Sequence, residues 1–194
     1  MISTNFGRTF NMSKSDKEKI QLLDTKLGPR TTRLMIICAI IMLCSVLLHD
    51  ADHIMQANRW YYDIPLSLWA LNLIVYVLPI VSIFLAKNSR MSATLVCFIG
   101  GILTSVSFVV LHCFGSSSGL NWGIWNYTYF ELMQGGEFLV NGMTVTVDPA
   151  NSIKMIDWLL LFHVPFFSLP CSGIALIKYL DNKRAVKNGT YVAD

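Results

Sequence analysis

Four long apolar stretches, separated by polar segments, dominate the pattern of the chain. Each has the length of about 20 residues that a helix needs to cross the hydrocarbon core of a bilayer. The stretches cover approximately residues 33–53, 66–86, 92–114 and 156–177. The pattern predicts an all-α membrane protein in which four transmembrane helices form an antiparallel bundle.

The composition agrees with this class of protein. Hydrophobic residues make up 54% of the chain and charged residues only 14%, whereas a soluble globular domain carries about 25% charged residues. A soluble protein of 194 residues cannot bury so much apolar surface in its core, so the lipid bilayer is the expected partner. A homo-oligomer or hetero-oligomer within the membrane stays open, and nucleic acid is not an expected partner.

Lysine and arginine are concentrated on one side of the predicted bundle. Thirteen of the fifteen lie in the N-terminal segment, in the turn between the second and third helices, or in the C-terminal tail. Only Arg59 and Lys154 lie on the other side. Because cytoplasmic segments carry the excess of basic residues, the pattern predicts a multi-pass protein of a cell or plasma membrane with both termini in the cytoplasm.

The chain then divides into three parts. Residues 1–32 are a cytoplasmic tail, residues 33–178 are the transmembrane domain, and residues 179–194 are a second cytoplasmic tail. The outer loop, residues 115–154, is long enough to fold as an extracytoplasmic cap. Its Asn141-Gly142 pair lies between two β-prone runs and predicts a β-hairpin, since both turn positions need positive φ.

All four histidines fall near the outer face of the predicted membrane domain. His49 and His53 close helix one, His112 closes helix three at the same end, and His163 lies in the outer third of helix four. A hydrogen bond to a neighbouring helix or a place among the headgroups explains any one of them. Because ionisable groups at this depth are costly, the four together point to a metal site or a proton site.

Helix one carries the most specific motif. Its segment LLHDADHIMQ places His49 and His53 four residues apart with Asp52 on the same face. Two imidazoles at this spacing can bind one metal ion, as in the H-E-x-x-H arrangement, and a carboxylate beside them can be a ligand or can orient a ring. Asp50 points about 100° away and is expected to face another helix, while Asn72 of helix two lies at a similar depth.

These residues predict a His/Asp transition-metal site near the outer membrane face. The candidate ligands are His49, His53, His112 and His163, with Asp52 as a further ligand or an orienting group. Imidazole suits zinc, copper and iron, so the sequence leaves the metal open among them. The expected function is metal-dependent chemistry or metal handling.

Two other functions are compatible with the same residues. The first is a non-catalytic accessory subunit of a larger membrane enzyme or metalloenzyme complex, because the chain is small and its loop is rich in aromatic residues. The second is a transporter. Four helices without internal repeats supply no alternating-access machinery unless the chain dimerises, which makes this the weaker alternative.

Two segments carry a resemblance to known proteins: LLHDADHIMQ at the end of helix one, and the loop NWGIW…VDPANS before helix four. In both, the chain resembles a group of small prokaryotic four-helix membrane proteins. Those proteins have an LHxxDH-like motif that ends helix one and an aromatic-rich loop before helix four. The resemblance implies the four-helix topology and transfers no activity.

The topology can be tested by labelling introduced cysteines with a membrane-impermeant maleimide. We expect Leu120→Cys to react from the outside of intact cells, and Phe10→Cys and Thr190→Cys to react only after permeabilisation. The unsubstituted chain measures the background from its five native cysteines. Labelling of position 120 from the cytoplasmic side would contradict the topology.

Overall fold

The computed structural model describes residues 25–115 and 122–193, apart from the side chain at position 71. Most of the predicted N-terminal tail and the first residues of the predicted outer loop therefore lie outside the described residues. We call the end of the bundle that carries residues 122–154 the cap end, and the opposite end the tail end.

The described part of the chain contains five α-helices and one β-hairpin. The helices are α1 (Pro29–Arg59), α2 (Leu66–Lys87), α3 (Ser92–Phe114), α4 (Tyr129–Gln134) and α5 (Met155–Lys187). The strands are β1 (Gly136–Val140) and β2 (Met143–Val147), and short 3-10 helices cover Gly123–Asn126 and Pro149–Asn151.

Four of these helices, α1, α2, α3 and α5, are long and apolar enough to cross a membrane. Their exposed side chains include large hydrophobic residues such as Ile37, Phe84, Leu103 and Phe166. A water-facing helix would carry polar residues at such positions. The prediction of four apolar helices is confirmed, and the pattern is that of a membrane protein.

Two helices are longer than the apolar pattern predicts. Helix α1 continues past His53 to Arg59, and α5 continues into the predicted C-terminal tail as far as Lys187. No proline or glycine interrupts the chain between His53 and Arg59, so nothing in the sequence ends the helix there. The histidine motif consequently lies inside α1 and not at its end.

Each long helix packs mainly against two neighbours. Helix α1 contacts α2 and α5, and α3 contacts the same two helices. At the tail end, the Leu27 amide donates to the Ser89 carbonyl at 2.8 Å, and the Tyr191 hydroxyl donates to the Lys26 carbonyl at 2.6 Å. Residues near both ends of the described chain therefore meet at the tail end, where residues 26–27 contact both the α2–α3 turn and Tyr191.

The cap folds as the turn signal predicts. Asn141 and Gly142 both have positive φ, 51° and 78°, and β1 pairs antiparallel with β2 directly beside them. Helix α4 starts at a capping box, in which Thr128 and Glu131 each accept a hydrogen bond from the other's backbone amide. The predicted hairpin within the cap is confirmed.

Gly101 allows α3 and α5 to approach closely. A Cβ atom at this position would lie 2.7 Å from the Ser168 carbonyl oxygen and would also collide with the Ser172 hydroxyl. Small residues at helix contacts are typical of membrane bundles, because close backbone approach maximises van der Waals contact there. The α3–α5 contact therefore depends on the absence of a side chain at position 101.

We expect Gly101→Ala to lower the free energy of unfolding in detergent by about 1–3 kcal/mol, because the added methyl group overpacks the α3–α5 contact. Gly173→Ala is the matched control, since nothing lies within 4 Å of a Cβ there. That control should be neutral or stabilising by up to about 1 kcal/mol, from helix propensity. Equal effects of the two substitutions in thermal unfolding would contradict the close contact.

Candidate metal centre

One face of α1 buries a row of polar side chains towards the cap end. His49, Asp52, His53 and Gln56 recur at helical spacing, and all four are less than 9% exposed. Buried polar groups need partners within the protein, because neither lipid nor an apolar core supplies them. The partners of this row define the candidate site.

Three histidines from two helices converge beside this row. His49 and His53 of α1 and His112 of α3 each offer a ring nitrogen, and these nitrogens lie within 4.8 Å of one another. The Nε2 atoms of His49 and His112 are 3.1 Å apart. Two nitrogens bound to one zinc ion in tetrahedral geometry lie about 3.3 Å apart, given bonds of about 2.0–2.1 Å. The spacing of the pair therefore suits a shared metal ion.

The Nδ1 atoms of His49 and His112 contact backbone carbonyl groups, and these contacts orient the Nε2 atoms of the two rings towards each other. Nδ1 of His112 lies 2.7 Å from the Phe108 carbonyl oxygen, and Nδ1 of His49 lies 3.4 Å from the Leu160 carbonyl oxygen. Because a carbonyl only accepts, a proton on each Nδ1 satisfies both contacts, and each Nε2 then keeps its lone pair. Two nitrogen lone pairs that face each other at 3.1 Å need a proton or a metal ion between them.

His53 completes the group from the next turn of α1. Its ring centroid lies 4.5 Å from that of His49 and 5.6 Å from that of His112. Its Nδ1 is buried without a hydrogen-bond partner among the described residues. An unpartnered buried nitrogen costs about 1–3 kcal/mol, and coordination of a metal ion removes this type of penalty.

Two of the five predicted ligands lie outside the group. His163 of α5 lies near His49, but its nitrogens are not among those that lie within 4.8 Å of one another, and they are buried without partners in the described structure. Asp52 accepts hydrogen bonds from Gln56 and Tyr129 and turns away from the three rings. Asp52 has other partners than the histidines because the side chains of one helical turn point in different directions and reach different neighbours.

The Asp52 carboxylate belongs to a second network, which links α1 to the cap. Gln56 donates from Nε2 to Asp52 at 2.7 Å and to the Tyr129 hydroxyl at 2.9 Å, and its Oε1 accepts from the Trp125 indole at 2.7 Å. Burial raises the pKa of Tyr129 well above its ordinary value, and the Asp52 charge acts in the same direction. The phenol therefore stays protonated and can donate to Asp52.

The same network continues to α5 through a second carboxylate. Asp157 is fully buried and lies within interaction distance of Asp52. The Arg59 guanidinium donates to Asp157 at 2.7 Å. One guanidinium thus accompanies two buried carboxyl groups, which leaves the surroundings of the histidines with an excess of acidic groups over basic ones.

Asp50 behaves as the helical geometry predicts and faces another helix. It accepts a hydrogen bond from Asn72 of α2 at 2.6 Å and a second from the Tyr76 hydroxyl. Asn72 follows from the sequence as a polar residue at this depth, whereas Tyr76 is found only in the structure. The sequence does contain an indication of Tyr76, because residues 72 and 76 are four apart and share a helix face.

Aromatic residues of the cap cover the histidines. The Trp125 ring contacts His53 at 4.7 Å, and the Tyr129 ring contacts His112 at 4.9 Å. Trp125 and Tyr129 are buried, and their polar atoms reach the Gln56 side chain, whereas Phe130 of the same loop is exposed. The cap therefore shields the centre. A role of this loop in binding a partner stays a prediction.

Comparisons with protein-family models, with curated proteins and with solved structures find no match. The resemblance to small prokaryotic four-helix membrane proteins therefore stays an expectation.

We expect Gln56→Leu to lower the free energy of unfolding by about 2–4 kcal/mol, because it leaves Asp52, Trp125 and Tyr129 with fewer hydrogen bonds in a buried place. Asn58→Leu, on the exposed face of the same helix, is the matched control and should have little effect. Chemical unfolding in detergent, followed by tryptophan fluorescence, measures both. A neutral Gln56→Leu would mean that the network does not hold the cap.

Proposed function

We propose that His49, His53 and His112 together bind one transition-metal ion, and that the protein uses this ion for metal-dependent chemistry or metal handling. Zinc, copper and iron all accept imidazole ligands. The observation that carries the proposal is the convergence of three ring nitrogens from α1 and α3, two of them 3.1 Å apart, on two buried histidines and one partly buried histidine.

The number of ligands supports a reactive centre over a purely structural one. Structural zinc sites are closed by four protein ligands, whereas catalytic sites have three and leave a position for water or substrate. Three histidines gather here, and His163 and Asp52 stay outside their group. A bound ion would then keep at least one coordination position for another molecule.

Carboxyl groups near the centre can balance part of the charge of a bound cation. Three neutral imidazoles leave the full charge of a bound ion uncompensated, which is unfavourable in a buried place. The neighbouring network supplies two carboxyl groups, Asp52 and Asp157, and one guanidinium, Arg59. Loss of the proton from both carboxyl groups would leave this network with one negative charge in excess, which would offset part of the charge of a metal ion.

Metal content tests the proposal directly. We expect the protein, purified on a tag without histidine, to bind about one equivalent of zinc, copper or iron, since its three nitrogens suit one ion. His49→Gln and His112→Gln should each remove most of the bound metal in elemental analysis, because each leaves only two imidazoles. His163→Gln is the matched control and should keep the metal content of the unsubstituted protein.

Equal metal content in the unsubstituted protein and in the His49→Gln and His112→Gln variants would contradict this function. A loss of metal caused by His163→Gln alone would contradict the three-histidine ligand set. Size-exclusion profiles of all variants in the same detergent separate lost ligands from lost folding. The accessory-subunit alternative stays a prediction, because a metal centre is compatible with membership of a larger complex.

A further inference from the structure

A cavity lies directly against the three histidines, between α1, α2 and α3. Its volume is about 60 Å³, and His49, His53 and His112 all contribute to its lining. Helix α5 contributes none of the described lining residues. The cavity therefore adjoins the three-histidine group on the side away from His163.

The size of the cavity limits what can occupy it. A water molecule takes about 30 Å³ in the liquid, and an apolar cavity of about 150 Å³ holds benzene. Pockets for drug-sized ligands measure about 300–1,000 Å³. A space of about 60 Å³ thus suits a molecule of two or three heavy atoms and is far smaller than a site for a sugar, a nucleotide or a peptide.

The lining further restricts the occupant. Away from the histidines the described lining is mostly apolar, with Leu68, Trp69 and Phe108 among its residues, and it contains no acidic or basic side chain. A charged molecule would lose its hydration there without a partner. A neutral molecule of low polarity loses little on entering such a space.

Two polar side chains, Asn72 and Ser107, interrupt the apolar lining. The Asn72 amide nitrogen already donates to Asp50 at 2.6 Å. The group that Asn72 can offer to the cavity is therefore its amide oxygen, which accepts hydrogen bonds. Together the lining suits a weakly polar molecule and offers no ion pair.

We propose that this cavity is the binding site for a neutral molecule of two or three heavy atoms and low polarity, of the chemical class of the diatomic gases. The molecule binds at the coordination position that the three histidines leave open. Only the binding of the molecule to the open coordination position rests on the proposed metal centre. The cavity itself accepts a small apolar molecule with or without a metal ion.

Carbon monoxide is the probe for the metal-loaded protein, because it is a neutral diatomic ligand of Cu(I). The protein is loaded with Cu(I), its copper content is measured, and the carbon monoxide stretch is followed by infrared spectroscopy. Ser107→Leu fills the cavity, and Leu111→Phe is a second filling variant. Val106→Leu, at the exposed neighbouring position of α3, is the matched control.

We expect both filling variants to keep their copper and to lose carbon monoxide affinity by about tenfold or more, which corresponds to about 1.4 kcal/mol. Val106→Leu should match the unsubstituted protein. If either filling variant keeps both its copper and its carbon monoxide affinity, the cavity is not the binding site and the inference is overturned.

Xenon binding to the metal-free protein separates this inference from the proposed function. Xenon-129 NMR in micelles should show a saturable component in the unsubstituted protein and in Val106→Leu, and none in Ser107→Leu. If the protein binds no metal but shows this component, the metal centre fails and the apolar cavity stands. Without a saturable component in the unsubstituted protein, the cavity is overturned, whatever the copper content.

Discussion

Polar side chains buried in an apolar bundle must find their partners within the protein, since neither lipid nor the core offers a hydrogen bond. The buried face of α1 imposes this constraint from His49 to Gln56. Its groups draw their partners from α3, α5 and the cap. Satisfying this one row of residues therefore brings the other elements of the cap end together.

The position of the cap follows from that constraint. Trp125 and Tyr129 are large apolar rings, but each also carries a polar atom that needs a partner when it is buried. Both atoms reach Gln56, and both rings rest on histidines. A hydrogen-bond network thus holds the cap over the three histidine rings. The cap keeps water away from the centre, and electrostatic interactions are stronger in such an environment than in water.

The two halves of the site have different chemical characters. The histidine group supplies neutral nitrogen lone pairs, with a small apolar cavity on one side. The neighbouring network supplies carboxyl groups, a phenol and a guanidinium. Asp52 lies between His49 and His53 in sequence but belongs to the second half. A bound cation would meet nitrogen ligands in the first half and ionisable carboxyl groups in the second.

The sequence by itself determined what depends on neighbours along the chain. The length of the apolar stretches predicted the four long helices, and the Asn141-Gly142 pair predicted the hairpin. The i,i+4 spacing placed His49 and His53 on one face of α1. Tertiary structure alone decided that His112 joins them and His163 does not. Helical periodicity sets angles within one helix, whereas the rotation and depth of one helix against another depend on packing, such as the close α3–α5 approach at a glycine.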